Sequence, residues 1–230
     1  MLPRCSRLRP LLGLFLTSFL LAAPLQEPQK LPPLPGRLPV EDAPASIALV
    51  LDNSASMRVE RNSAIVALCE LAKASNAQDE FVVVNFNDDP FMDSNFTSNV
   101  KSACEALGNM DAAGGTALND AVLATADHLV KGAKYKKRAI VLVTRGIDNK
   151  SHSSVKEMLK GLHEPGMPGV YSIGLLDPRN ATRARGVLDQ LANETGGIAL
   201  YPENERQLNE MALQIAQEIR KRNASLVITN

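Results

Sequence analysis

Tryptophan is absent from the 230-residue sequence, and aromatic residues make up only 4% of it. Rings that could stack on bases or sugars are therefore scarce. Net charge is missing too. The 25 Lys and Arg balance the 25 Asp and Glu, which argues against a strongly basic nucleic-acid binder and against a polyacidic tail. Three cysteines and three histidines, all scattered, are too few for a zinc finger or a disulfide-dense scaffold. The apolar run from Leu11 to Leu21 falls short of the about 20 residues that a membrane-spanning helix needs. No Gly-x-Ser-x-Gly elbow occurs, and no histidine has an evident place beside a serine, so nucleophilic catalysis is not expected.

What is present begins with an address. Arg4, Arg7 and Arg9 precede the apolar run, and the small Ala22 and Ala23 follow it, the three-part layout of a secretory signal over residues 1–23. An uncleaved membrane anchor is the alternative, since Pro24 disfavours a cut after Ala23. Residues 24–44 hold half of the 14 prolines and read as a semi-rigid, extended linker. A tail occupies 223–230. The span 45–222 is long enough for one domain with a sizeable core.

Within that span the hydrophobic period switches back and forth. Continuous apolar runs at Ser46–Asp52, Phe81–Phe86, Arg138–Thr144 and Val170–Leu176 read as strands buried on both faces. A short edge strand is expected near residues 90–95, and a sixth strand over Ile198–Tyr201. Between them lie helix stripes: Ile65, Leu68, Cys69, Ala72; Val100 to Leu107; Leu118, Ala121, Val122, Leu129; Met158, Leu159, Leu162 behind a Ser154/Glu157 capping box; 182–193, ending at Gly196-Gly197; and Leu208, Met211, Ala212, Ile215, Ile219. The alternation predicts a doubly wound α/β fold, a mostly parallel six-stranded sheet with helices on both faces. In such sheets ligands bind beyond the carboxyl ends of the strands, which directs attention to Asp52–Ser56 and Thr144–Asn149.

Asp52-x-Ser54-x-Ser56 puts one carboxylate and two hydroxyls on a tight turn, an oxygen set suited to a hard cation such as Mg²⁺. Gly114-Gly115-Thr116 adds a further hydroxyl ahead of a helix. With the strand Ile140 to Thr144, Gly146, Asp148-Asn149 and Ile173-Gly174-Leu175, these motifs make residues 45–222 resemble a von Willebrand factor type A domain. Phe86-Asn87-Asp88-Asp89, Gly-Gly-Thr-Ala-Leu-Asn-Asp and Glu194-Thr195-Gly196-Gly197 resemble a secreted bacterial subgroup of that family. The resemblance implies a Rossmann-like fold and a metal-ion-dependent adhesion site. In that site Ser54, Ser56 and Thr116, with Asp52, would hold the ion, and a partner protein's carboxylate would complete its shell.

One position departs from the pattern. Where the family carries an Asp before the glycine of the fourth-strand loop, this sequence has Arg145. At about 5 Å and an effective dielectric near 20, repulsion between a dication and a guanidinium is on the order of 6 to 7 kcal/mol before screening and side-chain movement. Metal binding at Asp52, Ser54, Ser56 and Thr116 is thus expected to be weak or lost. Arg145 is expected to turn toward Asp52 as a fixed substitute cation, or to take a partner's carboxylate bidentately. Asp148 is a less favoured stand-in for the missing acid. The expected function is non-enzymatic protein recognition outside the cytoplasm, in the envelope or secreted. A conventional Mg²⁺-dependent ligand-binding domain, or an accessory subunit of an enzyme or envelope complex, is the alternative. No nucleic acid is expected, and no membrane contact unless the N-terminal segment stays uncleaved as an anchor. Cys69 and Cys104 remain after removal of the leader. They are read as two buried thiols, Cys69 as core filler on its helix stripe, because sequence does not give the Cα separation a bridge requires; a Cys69–Cys104 disulfide is the alternative. His128, His152 and His163 read as surface or helix-end residues.

Overall fold

A computed structural model describes residues 43–221. The expected signal, almost all of the linker and the expected tail lie outside the described residues. Six strands and six α-helices follow one another among the described residues: β1 (Ser46–Asp52), α1 (Arg61–Ala74), β2 (Glu80–Phe86), β3 (Pro90–Met92), α2 (Val100–Leu107), α3 (Leu118–Gly132), β4 (Arg138–Thr144), α4 (Val155–Leu162), β5 (Gly169–Gly174), α5 (Ala181–Thr195), β6 (Ala199–Leu200) and α6 (Glu205–Lys221). The strands form one sheet in the order β3-β2-β1-β4-β5-β6. All neighbours are parallel except β3, which pairs antiparallel with β2 at the edge. This is the doubly wound α/β fold read from the sequence.

The period of two along β1 sorts its side chains onto two cores. Ile47, Leu49 and Leu51 face one cluster, with residues of α1, α2 and α6. Ala48 and Val50 face the other, with residues of α3, α4 and α5. Both faces are covered, which is why the central strands read as unbroken apolar runs. Burial of this kind stabilises by about 25 cal/mol per Å² of apolar surface.

Local signals place the helix ends. Ser154 and Glu157 form the expected capping box at the start of α4. Gly196 ends α5 at φ 71°, a left-handed conformation that costs other residues roughly 1–2 kcal/mol.

Cys69 on α1 and Cys104 on α2 are joined by a disulfide, with their Cα atoms 5.5 Å apart. This corrects the reading of two separate thiols: the helix stripe that buries Cys69 also aims it at the neighbouring helix.

Because β2 lies on one side of β1 and β4 on the other, the chain reverses direction of winding between β1 and β4. A crevice opens at their carboxyl ends. Asp52 and Thr144 are the last residues of those two strands.

Candidate functional site

Asp52 is fully buried. Its Oδ1 accepts the Ser54 N–H at 2.8 Å, and its Oδ2 accepts the Thr144 hydroxyl at 2.7 Å, a bond that spans the crevice. The Arg145 backbone N–H also donates to it. Burial pushes the Asp52 carboxyl above the ordinary carboxylate range, and these hydrogen bonds only partly oppose that shift.

Ser54 is buried, Ser56 is exposed, and their Oγ atoms lie 3.0 Å apart. Ala55 opens a single 3-10 turn, Ala55–Met57, and its N–H donates to the Gly114 carbonyl at 3.1 Å. That bond fastens the Thr116 loop to the serine turn. Gly114 has φ 71°, and a Cβ there would stand 2.4 Å from Asp88 Oδ2. Asp88 in turn accepts the Gly115 N–H at 2.9 Å and pairs with Lys150 at 3.3 Å. The Gly115 N–H, with Lys150 beside it, holds the Asp88 carboxyl below its usual range. Thr116 donates its N–H to Asn149 Oδ1 at 2.9 Å, and its carbonyl accepts the Asn149 N–H at 3.0 Å. The three loops are thus tied together by their own backbones.

Asp148 serves that framework. Its Oδ2 accepts the Asn119 N–H at 2.8 Å in the first turn of α3, and its Oδ1 accepts the Ser151 N–H at 3.0 Å. It does not stand in for the missing acid.

Arg145 corrects an expectation. Its guanidinium does not pair with Asp52. Nη2 donates to Glu60 Oε1 at 2.6 Å and Nη1 reaches Asp177 Oδ2 at 3.5 Å. Asp177 is also gripped by Arg179 at 2.6 Å, and Arg179 first, then Arg145, hold its carboxyl well below the usual range. The physical reason is desolvation. Asp52 has its oxygens occupied in a dry site, and burying a guanidinium beside it would cost more than pairing with two partly solvated acids at the rim. Glu60 and Asp177 went unseen in the sequence, since they lie 85 and 32 residues from Arg145. The one signal was that an arginine in an acid's place needs acids of its own.

Behind the site, Asn53 donates to Asn85 Oδ1 at 2.7 Å and accepts the Arg61 Nε–H at 2.7 Å. Asn85 donates onward to Asp93 at 2.7 Å. These buried polar groups, also missed in the sequence, lock the start of α1 to the ends of β1 and β2. His128 is not a plain surface residue: its ring stacks on Phe96 at 5.1 Å between centroids.

The serine pair matches magnesium in spacing, and the charge of the site does not match it. Ligands at about 2.1 Å in an octahedron stand about 3.0 Å apart along an edge, the separation of the two serine Oγ atoms. Yet one carboxylate serves the centre, and burial disfavours its ionised form. Among the described residues, no group of three or more His, Cys, Asp or Glu side chains is placed to hold a metal.

Residues 47–147 match the model of the von Willebrand factor type A domain. No curated protein matches the chain. Several solved structures share the fold. BatB, a conserved hypothetical protein from Bacteroides thetaiotaomicron, is 20% identical with a TM-score of 0.62, over 77% of this chain and 99% of that one. A von Willebrand factor type A protein from Catenulispora acidiphila is 18% identical with a TM-score of 0.65, over 77% of this chain and 43% of that one. The pilus adhesin SpaC from Lactobacillus rhamnosus GG, in its open conformation, is 14% identical with a TM-score of 0.64, over 78% of this chain and 30% of that one. The match over residues 47–147 and the shared fold make this chain similar to von Willebrand factor type A domains.

Proposed function

We propose that this domain is a non-enzymatic protein-recognition module that works outside the cytoplasm, and that its adhesion-type site binds magnesium weakly or not at all. The observation that carries the reading is Arg145. It stands where an acid would complete the metal site, and it is engaged by Glu60 and Asp177 instead. Recognition would then use the loops around Ser54, Ser56, Thr116 and Asn149 without a bridging cation. An acidic partner residue would reach Arg145 by displacing one of its two present carboxylates. The Cys69–Cys104 disulfide supports an oxidising compartment. The signal layout supports the same, as do a pilus adhesin and an aerotolerance-related membrane protein among the structural neighbours.

Calorimetric titration of the domain with Mg²⁺ and Mn²⁺ tests the metal reading, and a micromolar dissociation constant sinks it. Capture from an envelope fraction of the source organism, with and without chelator, tests the recognition reading. Capture should survive chelation and be lost in Ser56→Arg or Asn149→Arg. Capture indifferent to both substitutions removes the loops from the mechanism. The serine pair at octahedral-edge spacing favours one second reading, a conventional Mg²⁺-dependent site, which predicts capture abolished by chelator.

A further inference from the structure

A cavity of about 260 Å³ lies beside the upper loops, between the start of α1, the chain after β5 and the start of α6. Its apolar walls are Val59, Leu175, Leu176 and Leu208. Its polar lining includes Glu60, Glu203 and Glu205, and among the described residues no Lys, Arg or His lines it. Glu205 Oε1 accepts the Ser63 hydroxyl at 2.5 Å, which fixes that carboxylate on the wall. Glu60 gives one oxygen to Arg145, but its Oε2 is buried without a hydrogen-bond partner among the described residues. A buried carboxylate oxygen left unpaired costs free energy, so this atom wants a donor. Val59, also on the lining, is 85% exposed and so free to meet a partner.

The charge balance selects the occupant. The starts of α1 and α6 each bring about half a positive charge toward this end of the domain. Three carboxylates outweigh them, even with Glu60 shared with Arg145. A cavity lined by both apolar side chains and carboxylates suits a long cationic side chain, whose methylenes pack on the apolar lining while its head meets the acids. An apolar residue next to it in the partner would cover Val59.

We propose that this cavity is a docking site for a lysine or arginine side chain of a partner protein, flanked in the partner by an apolar residue. The inference rests on the recognition reading above but names a different patch, so the two can fail separately. Capture governed by the upper loops can persist while this cavity proves unused.

The test is NMR titration of the ¹⁵N-labelled domain with capped tripeptides: Leu-Lys-Leu, Leu-Arg-Leu, and controls with norleucine or glutamate at the centre. The cationic peptides should give saturable shifts at the amides of Val59, Ser63, Leu176 and Glu205. They should bind about three- to fivefold tighter than the norleucine control, and Glu203→Gln should weaken them about two- to fivefold. Glu203 is exposed, so this variant should fold. Val59→Ser should weaken all the apolar-flanked peptides alike. Equal binding of the norleucine peptide, tighter binding of the glutamate peptide, or no saturable shift at these amides overturns the proposal.

Discussion

At Asp52 a single carboxylate carries the frame of the site, and it does so in a dry setting. Its folded pKa is raised, so the folded state holds this proton more tightly than the unfolded chain does. Its burial therefore costs stability as pH climbs from the ordinary value of 3.8 through the raised one, and the cost is constant above. The Thr144 hydroxyl offsets part of that cost and also accepts the Gly146 N–H at 2.9 Å. Thr144→Val should lower stability by about 2–3 kcal/mol at neutral pH, and by less below about pH 4, where Asp52 is protonated. Urea titrations at both pH values check the magnitude and the sign. Arg145 makes the opposite kind of statement. Arg145→Asp would crowd three acids together at the rim, so the metal-free domain should lose about 1–3 kcal/mol. The same change should tighten Mg²⁺ binding at least about tenfold by restoring the acid, and millimolar MgCl₂ should recover part of the melting temperature. Melting curves with and without chelator read both effects. The motif residues at this scale were legible because Asp-x-Ser-x-Ser and Gly-Gly-Thr are local patterns. The ion pairs of Arg145 were not, since no local pattern reports a contact across the sheet.

Among the elements, period and punctuation did most of the work. β1, β4 and α2 have the limits read from the sequence, because each is bounded by polar or turn-forming residues and buried by an unmistakable stripe. β6 is shorter than Ile198–Tyr201. It is an edge strand with two register pairs to β5, and among the described residues no further strand extends the ladder. The cysteine pairing was the clearest miss. A helix stripe tells which side of α1 Cys69 occupies, but the 5.5 Å Cα separation from Cys104 depends on how α1 and α2 pack. The bridge closes a segment with a sequence separation of 35 residues. Chain entropy then assigns it about 3–4 kcal/mol. Cys69→Ala/Cys104→Ala, or reduction of the wild type, should lower stability by that amount in guanidinium titrations. A loss below about 1 kcal/mol would mean that the packing of α1 on α2 holds this part of the fold without the bridge.

For the domain as a whole, the placement of its ends bears on how it works. Chain enters β1 at the amino edge of the sheet, where the Lys137 Nζ donates to the Ala43 carbonyl at 3.4 Å. The last turn of α6 lies at the same edge, where Arg220 donates to the carbonyl of Ala74 at the end of α1 at 2.7 Å. The serine turn, the Thr116 loop and Arg145 all lie at the carboxyl edge, a full strand length away. A tether at either end of the described chain would leave the upper loops directed outward, as the proposed recognition at an envelope surface requires. The expectation can be separated from general crowding by attaching one bulky group at two places. Ala55 is exposed on the upper turn, and Gln78 is exposed at the lower edge just before β2. Ala55→Cys and Gln78→Cys, each coupled to a polyethylene glycol maleimide under non-reducing conditions, should have similar melting temperatures. Only the Ala55 conjugate should lose capture of the partner from the envelope fraction, because only there does the polymer cover the loops. If the Gln78 conjugate loses capture and the Ala55 conjugate keeps it, the partner docks at the tethered edge, and recognition by the carboxyl-edge loops is wrong.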